Sequence, residues 1–145
     1  SRELGGVFVS RVVYFEWLHL VMQSEVDDAQ GVLVEAVDDE DAGMPPVVMI
    51  NPEITPIGSE VVEDWEGCLS IPDIRGRVPR AMEISIGALD RHGTPIAMTV
   101  SGYPARVVQH ETDHLDAVLF FDRMTSFDSL TFLEEYSRYW TGKET

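Results

Sequence analysis

The sequence predicts an α+β protein in which antiparallel or mixed β-sheets surround a central helix, with a further helix near the end of the chain. Short runs rich in Val, Ile and aromatic residues recur along the chain and are typical of strands. The apolar run at residues 107–115 favours a buried helix. A stripe of Leu130, Leu133, Tyr136 and Trp140 lies at roughly helical spacing and predicts the last helix.

Composition and charge limit the possible functions. The 145 residues are enough for one domain with a real core, so we treat residues 1–145 as a single domain. The net charge of −16 argues against binding to nucleic acid or to anionic membranes. We find no apolar run long enough to cross a bilayer and expect no signal peptide. The single cysteine suits a reducing compartment, or a thiol that is kept for its chemistry.

The first half of the chain predicts strands separated by polar turns. Residues 17–22 either extend the first strand or form a separate edge segment, and the acidic run at 38–41 predicts a solvated loop. Asn51-Pro52 is expected to end the third strand. The predicted strands are residues 7–16, 32–37 and 47–50.

The second half predicts further strands and then the helices. Residues 60–65 form an extended piece that runs into Cys68, and the Pro-interrupted residues 75–80 read as a loop or an edge strand. Paired strands are predicted at 84–90 and 95–100, joined by a turn with an exposed His92.

Two features mark the helix boundaries in this half. Ser101 is a candidate cap for the central helix, and Pro104 fits its first turn. The last helix is expected over residues 126–140.

The central helix carries the motif His-Glu-x-x-His. His110 and His114 are four residues apart, so on a helix they point the same way and can bind one metal ion. Glu111 lies beside them, close enough to accept a proton from a water molecule. The sequence therefore predicts a metal-binding helix.

A catalytic metal site of this kind needs a third protein ligand and leaves one position for water. Cys68 is one candidate because it is the only thiol. Glu134 is another, since it lies twenty residues after His114, a spacing at which some zinc peptidases place a glutamate ligand. A third pattern, His-x-x-Gly-x-x-His, fails here because Ala117 and Phe120 occupy its glycine and second histidine positions.

Two motifs give the chain a resemblance to the peptide deformylases. The family's second motif, Glu-Gly-Cys-Leu-Ser, is matched at residues 66–70, and its third, Gln-His-Glu-x-Asp-His-Leu, at residues 109–115. Flanking residues such as Ile50-Asn51-Pro52 and Val78-Pro79-Arg80 also look like the family. The resemblance covers roughly residues 9–124 and points to Cys68 rather than Glu134 as the third ligand.

The resemblance implies a metal-dependent hydrolase that removes the formyl group from the N-terminal methionine of new proteins and releases formate. It implies Cys68, His110 and His114 as ligands of one divalent metal ion. Fe(II) is the physiological metal of the family, and zinc, nickel or cobalt can occupy the site. The implied partners are formyl-methionyl nascent polypeptides near the ribosome. The implied compartment is the bacterial cytoplasm, or the mitochondrion or plastid of a eukaryote.

The resemblance also implies two catalytic roles. Glu111 takes the proton of the attacking water and returns it to the leaving amine. The backbone N–H of Leu69, by its family position, donates to the developing oxyanion. The family's first motif, a glycine-rich loop ending in a glutamine that supplies a second donor, is not found. Gly6 falls near the glutamine's place, while Gln23 and Gln30 lie too far downstream, so we expect a weakened oxyanion site.

Overall fold

The computed structural model of the chain describes residues 14–16, 19–21, 32–34, 47–68 and 70–141. In these parts the predicted α+β class is confirmed, because a mixed and an antiparallel sheet pack with helices, one of them near the end of the chain. The strands are β1 (Tyr14–Glu16), β2 (His19–Val21), β3 (Val32–Val34), β4 (Val47–Pro56), β5 (Val61–Cys68), β6 (Ile71–Ala81), β7 (Glu83–Leu89), β8 (Pro95–Ser101) and β9 (Thr131–Phe132). The helices are α1 (Tyr103–Leu115), α2 (Phe120–Arg123) and α3 (Leu133–Tyr139).

The strands form two sheets in the described part of the chain. The larger sheet has the order β2-β1-β3-β4-β7-β8 and is mixed, since β1 and β3 are parallel and the other pairs are antiparallel. The smaller sheet has the order β5-β6-β9 and is antiparallel. Residues 19–21 therefore form a separate edge strand, one of the two outcomes expected for residues 17–22.

The predicted hairpin of β7 and β8 is confirmed, and pairing runs from Glu83 opposite Ser101 to Leu89 opposite Pro95. The side chain of Asp90 closes its turn, because Oδ1 accepts hydrogen bonds from two backbone N–H groups further along the turn. One of these belongs to His92, which is exposed as predicted.

The prediction that Asn51-Pro52 ends a strand is wrong, because β4 continues to Pro56. The pairing of β4 with β7 shifts register between Ile50 and Glu53, and Asn51 has a φ of 50°. A bulge of this kind absorbs residues that a regular ladder would exclude, so a turn-forming pair does not stop the strand.

Residues 75–80 were expected in a loop or edge strand, but they lie in β6, the middle strand of the smaller sheet. Pro79 is tolerated there because β9 pairs with β6 only at Ile74 and Arg75. At Pro79 the ladder partner in the described part of the chain is Glu63 on β5, so β6 is an edge at this position, where a proline is tolerated.

Both helix boundaries differ from prediction. The N-cap of α1 is Gly102, with a φ of 68°, and not Ser101, although Pro104 does lie in the first turn. The helix expected over 126–140 covers only Leu133–Tyr139. Its predicted first part is shortened because residues 131–132 pair with β6 as β9.

Helix α1 packs across the larger sheet and defines the core. The fully buried apolar side chains here are Met49, Ile84, Ile86, Ala105 and Val108. A second cluster joins the smaller sheet to α2 through Cys68, Val78 and Phe120. None of the helices in the described part of the chain has the length and apolar composition that a bilayer crossing requires.

Candidate metal centre

Three potential metal ligands meet where the end of β5 faces α1. Cys68 is the last residue of β5, and His110 and His114 lie on α1. The ligand atoms of these three side chains lie within 4.8 Å of one another. Cys68 Sγ lies 3.3 Å from His114 Nε2.

The helix positions the two imidazoles. His110 and His114 are one turn apart on the same face, and their ring centroids are 4.8 Å apart with planes at 89°. The buried ring of Phe120 lies nearly parallel to His110, at a centroid distance of 6.5 Å. The imidazole of His110 is thus enclosed by the helix on one side and by α2 on the other.

Cys68 reaches the site from the smaller sheet. The ladder between β5 and β6 shifts register between Glu66 and Cys68, and such bulges re-aim side chains next to active sites. Burial would raise the pKa of the Cys68 thiol, but hydrogen bonds with His110 and His114 outweigh it and lower the pKa to about 5. The thiol is therefore a thiolate at neutral pH, which is the form that binds metals.

Glu111 lies between the histidines and is only 5% exposed. Its Oε1 is 3.7 Å from His110 Nε2, and its Oε2 is 3.9 Å from His114 Nε2. Oε2 has no hydrogen-bond partner among the described residues. Burial raises the pKa of Glu111 to about 7, even though the two neighbouring histidines oppose that rise. A carboxyl group with this pKa can both accept and return a proton near neutral pH.

Glu66 contacts the Nδ1 side of the His110 imidazole. Its Oε2 lies 2.9 Å from His110 Nδ1, which leaves Nε2 of that ring for a ligand. Two buried guanidinium groups, of Arg80 and Arg106, also donate to this carboxylate. Burial would raise the pKa of Glu66, but the contacts with His110 and Arg80 outweigh it and bring the pKa down to about 2.

Further ion pairs connect Glu66 to charged side chains more distant from the three potential ligands. Arg80 also contacts Asp113, and Asp113 in turn accepts hydrogen bonds from Arg123 on α2. No role is predicted from the sequence for Glu66, Arg80, Arg106 or Arg123. For Arg106 the sequence does contain a signal, because a charged residue stands between Ala105 and Val107 in an apolar run.

The structure brings together Cys68, His110, His114 and Glu111. It does not bring Glu134 to them. The Glu134 side chain is 79% exposed on α3 and forms an ion pair with Arg138. The alternative with Glu134 as third ligand is therefore not supported.

Leu69, whose backbone N–H is the predicted oxyanion donor, lies outside the described residues. The same is true of Gly6, which falls near the place of the missing glutamine, and of Gln23 and Gln30, which lie too far downstream to replace it.

Comparison with known proteins places these motifs in a family. Residues 28–129 match the family described as polypeptide deformylase. The chain is 47% identical over 96 residues to peptide deformylase 1 of Prochlorococcus marinus, an alignment that covers 66% of this chain and 50% of that protein. It is 50% identical over 93 residues to peptide deformylase 2 of a Nostoc species, covering 64% of this chain and 52% of that protein.

Solved structures agree with this match. A class I type b peptide deformylase from Acinetobacter baumannii with Met-Ala-Ser bound is 47% identical, with a TM-score of 0.54, over 56% of this chain and 51% of that one. Peptide deformylase 1B of Arabidopsis thaliana in complex with an inhibitor is 39% identical, with a TM-score of 0.55, over 66% of this chain and 51% of that one. The chain thus spans about half the length of the relatives that it matches.

Proposed function

Because the chain belongs to the polypeptide deformylase family, we propose that it hydrolyses the formamide bond of N-formyl-methionyl polypeptides, releasing formate and a free N-terminal amine. One observation carries this proposal. A thiolate and two imidazoles converge beside a buried carboxylate whose Oε2 has no hydrogen-bond partner among the described residues. This is the set of groups that a metal-dependent hydrolase needs.

The residues fit a metal ion. We propose Cys68, His110 and His114 as its ligands, since their donor atoms come within 4.8 Å of one another. The lowered pKa of the Cys68 thiol and the contact of Glu66 with His110 Nδ1 both prepare these ligands. A metal bound there would lower the pKa of a water molecule and polarise the substrate carbonyl.

Glu111 is the proposed general base and acid. Its carboxylate takes a proton from the water whose oxygen attacks the formyl carbon. It then gives that proton to the nitrogen of the breaking C–N bond, so that the methionine amine leaves neutral. A pKa of about 7 matches both roles. We keep the backbone N–H of Leu69 as the proposed oxyanion donor because it is adjacent in sequence to Cys68.

The substrate and setting belong to the same proposal. The similar deformylase from Acinetobacter baumannii binds Met-Ala-Ser, a peptide that begins with methionine, which supports a methionyl substrate here. A thiolate with two imidazoles suits Fe(II), zinc, nickel or cobalt, and we propose Fe(II) as the working metal. The proposed partners are nascent chains near the ribosome, in the bacterial cytoplasm or in a mitochondrion or plastid.

The test is formate release from a formyl-Met-Ala-Ser peptide, measured under anaerobic conditions with Fe(II) supplied. We expect turnover by the parent chain, and turnover and stoichiometric metal both lost in Cys68→Ser. The matched control is His92→Gln, which changes an exposed turn histidine and is expected to keep the parent rate. A parent chain that binds metal but releases no formate would contradict the proposed reaction.

A further inference from the structure

We propose that Arg123, on α2, is a positioning residue for the metal site. It acts on His110 through three intervening side chains, which are Asp113, Arg80 and Glu66. The inference rests on the metal site put forward under the proposed function. It concerns how firmly the ligand is held, and so it can be tested without turnover.

At the outer end of this series of side chains, two hydrogen bonds join Arg123 to Asp113. Arg123 Nη2 donates to Asp113 Oδ1 at 2.6 Å, and Arg123 Nε donates to Asp113 Oδ2 at 3.1 Å. Two roughly parallel bonds between a guanidinium and a carboxylate fix the plane of the carboxylate as well as its position. Arg123 therefore orients the side chain of Asp113, which is itself only 11% exposed.

Closer to the metal site the side chains are buried, and Arg80 forms a similar pair of hydrogen bonds with Glu66. Arg80 Nη1 donates to Asp113 Oδ2 at 2.6 Å. The other two nitrogens of Arg80 donate to the two oxygens of Glu66, at 2.9 and 3.0 Å. Glu66 Oε2 then lies 2.9 Å from His110 Nδ1. The side chains of Arg80 and Glu66 are each 5% exposed, so water competes little for these bonds.

Loss of Arg123 would weaken the restraint on each side chain between it and His110. The Asp113 carboxylate would lose both hydrogen bonds from Arg123 and keep the one from Arg80 Nη1 to Oδ2, so its plane would be less restricted. Arg80 shares one planar guanidinium between Asp113 and Glu66, so movement at one carboxylate tilts the donors that hold the other. The orientation of His110, set through its Nδ1, would then be less restricted, and its Nε2 would be less well prepared to bind a metal.

The competing explanation is that Arg123 only ties α2 to α1. Its side chain is 50% exposed, and an ion pair at such a site typically contributes little to stability. A tie of that kind would change the free energy of unfolding without changing how tightly the folded protein binds a metal ion. Metal affinity therefore separates the two explanations.

The experiment compares Arg123→Gln with Arg138→Gln. Arg138 is a matched control because it is 54% exposed and pairs with Glu134 and Glu135 on its own helix. The dissociation constant for Zn²⁺ is measured on the folded, metal-free chain by competition with a chelator, together with chemical unfolding. Changing a group in direct contact with a metal-binding histidine typically costs 10- to 100-fold in affinity, and Arg123 is further removed, so we expect about 3- to 10-fold weaker binding. Arg138→Gln should stay within about twofold of the parent.

Arg123→Lys separates charge from geometry and is the gentler change if the glutamine variant folds poorly. Lysine keeps the positive charge but lacks the planar fork, so Zn²⁺ binding should remain weaker than in the parent. Parent-like affinity in both Arg123 variants, or equal weakening in Arg138→Gln, would overturn the inference. A parent chain that binds no Zn²⁺ would overturn the proposed metal site and this inference with it. Weaker binding in both Arg123 variants alone would support positioning by the fork.

Discussion

Glu111 is held at the centre of α1 with both carboxylate oxygens within 4 Å of a histidine nitrogen. We predict that Glu111→Gln binds metal as the parent does but loses about 100- to 10,000-fold in turnover, since an amide cannot accept a proton from water. Metal content and formate release measured on the same preparation check this. If the glutamine variant turns over at the parent rate, Glu111 is not the general base.

The Glu66 carboxylate contacts three side chains, those of Arg80, Arg106 and His110. We predict that Glu66→Gln lowers the free energy of unfolding by about 3–5 kcal/mol, because two buried guanidinium groups lose the carboxylate that they share. Chemical unfolding checks this, and Glu63→Gln on the exposed part of β5 is the matched control. Equal stability of the two variants would show that the buried charges are satisfied in some other way.

The same residue predicts a response to acid. The pKa of Glu66 is about 2 in the folded chain against an ordinary value of 4.5, so the carboxylate stabilises the fold fully above pH 4.5. That contribution is lost progressively as the pH falls toward 2. In chelator, to remove metal effects, we expect the parent to lose unfolding free energy more steeply than Glu66→Gln between pH 5 and 3. Parallel pH curves would contradict the lowered pKa.

The sequence could point to residues of the site only where the evidence lies in neighbouring positions or in a unique residue type. The spacing of His110 and His114 placed both on one helical face, and the thiol of Cys68 was unique in the sequence. Glu66 lies 44 residues from His110, and Arg80 lies 33 from Asp113, so their contacts arise only when β5, β6 and α1 pack together. No periodicity in the sequence encodes such a pairing.

At the scale of elements, aromatic rings join α3 and the residue that follows it to the smaller sheet. Trp65 on β5 contacts the rings of Tyr136 and Trp140 at centroid distances of 5.0 and 5.2 Å. We predict that Trp140→Ala lowers the free energy of unfolding by about 1–2 kcal/mol, a modest loss because the ring is 45% exposed. Chemical unfolding followed by circular dichroism checks this.

Tyr139 provides the comparison for this prediction. Its ring is 53% exposed and contacts the guanidinium of its neighbour Arg138. Tyr139→Ala should therefore cost less than Trp140→Ala. If the two cost the same, the contacts with Trp65 do not hold α3 in place.

The elements also show where sequence patterns were insufficient. The paired strands β7 and β8 were predicted well because they are adjacent in sequence and joined by a short turn. The continuation of β4 past Asn51 depends on a bulge opposite β7, and the shortened α3 depends on β9 pairing with a strand more than fifty residues earlier. In each case a tertiary contact overrode a correct local preference.

At the scale of the whole molecule, the three proposed ligands connect two regions of packing. Cys68 belongs to the cluster formed with Val78 and Phe120, whereas His110 and His114 lie on the helix that covers the larger sheet. A metal ion held by all three would tie the smaller sheet to α1. The three ligands come together only in the folded chain, so the metal ion would bind the folded state in preference to the unfolded state. Metal binding should therefore raise the free energy of unfolding.

We therefore predict that metal raises the melting temperature of the chain and that a chelator reverses the rise. At a free metal concentration of about 1,000 times the dissociation constant, the gain is about 4 kcal/mol. For a domain of this size that corresponds to roughly 10 °C, which differential scanning calorimetry measures directly. Cys68→Ser should melt close to the metal-free parent and gain far less from added metal, whereas His92→Gln should gain as much as the parent. A full gain in Cys68→Ser would mean that the stabilising metal binds elsewhere, and the proposed link between β5 and α1 would then be wrong.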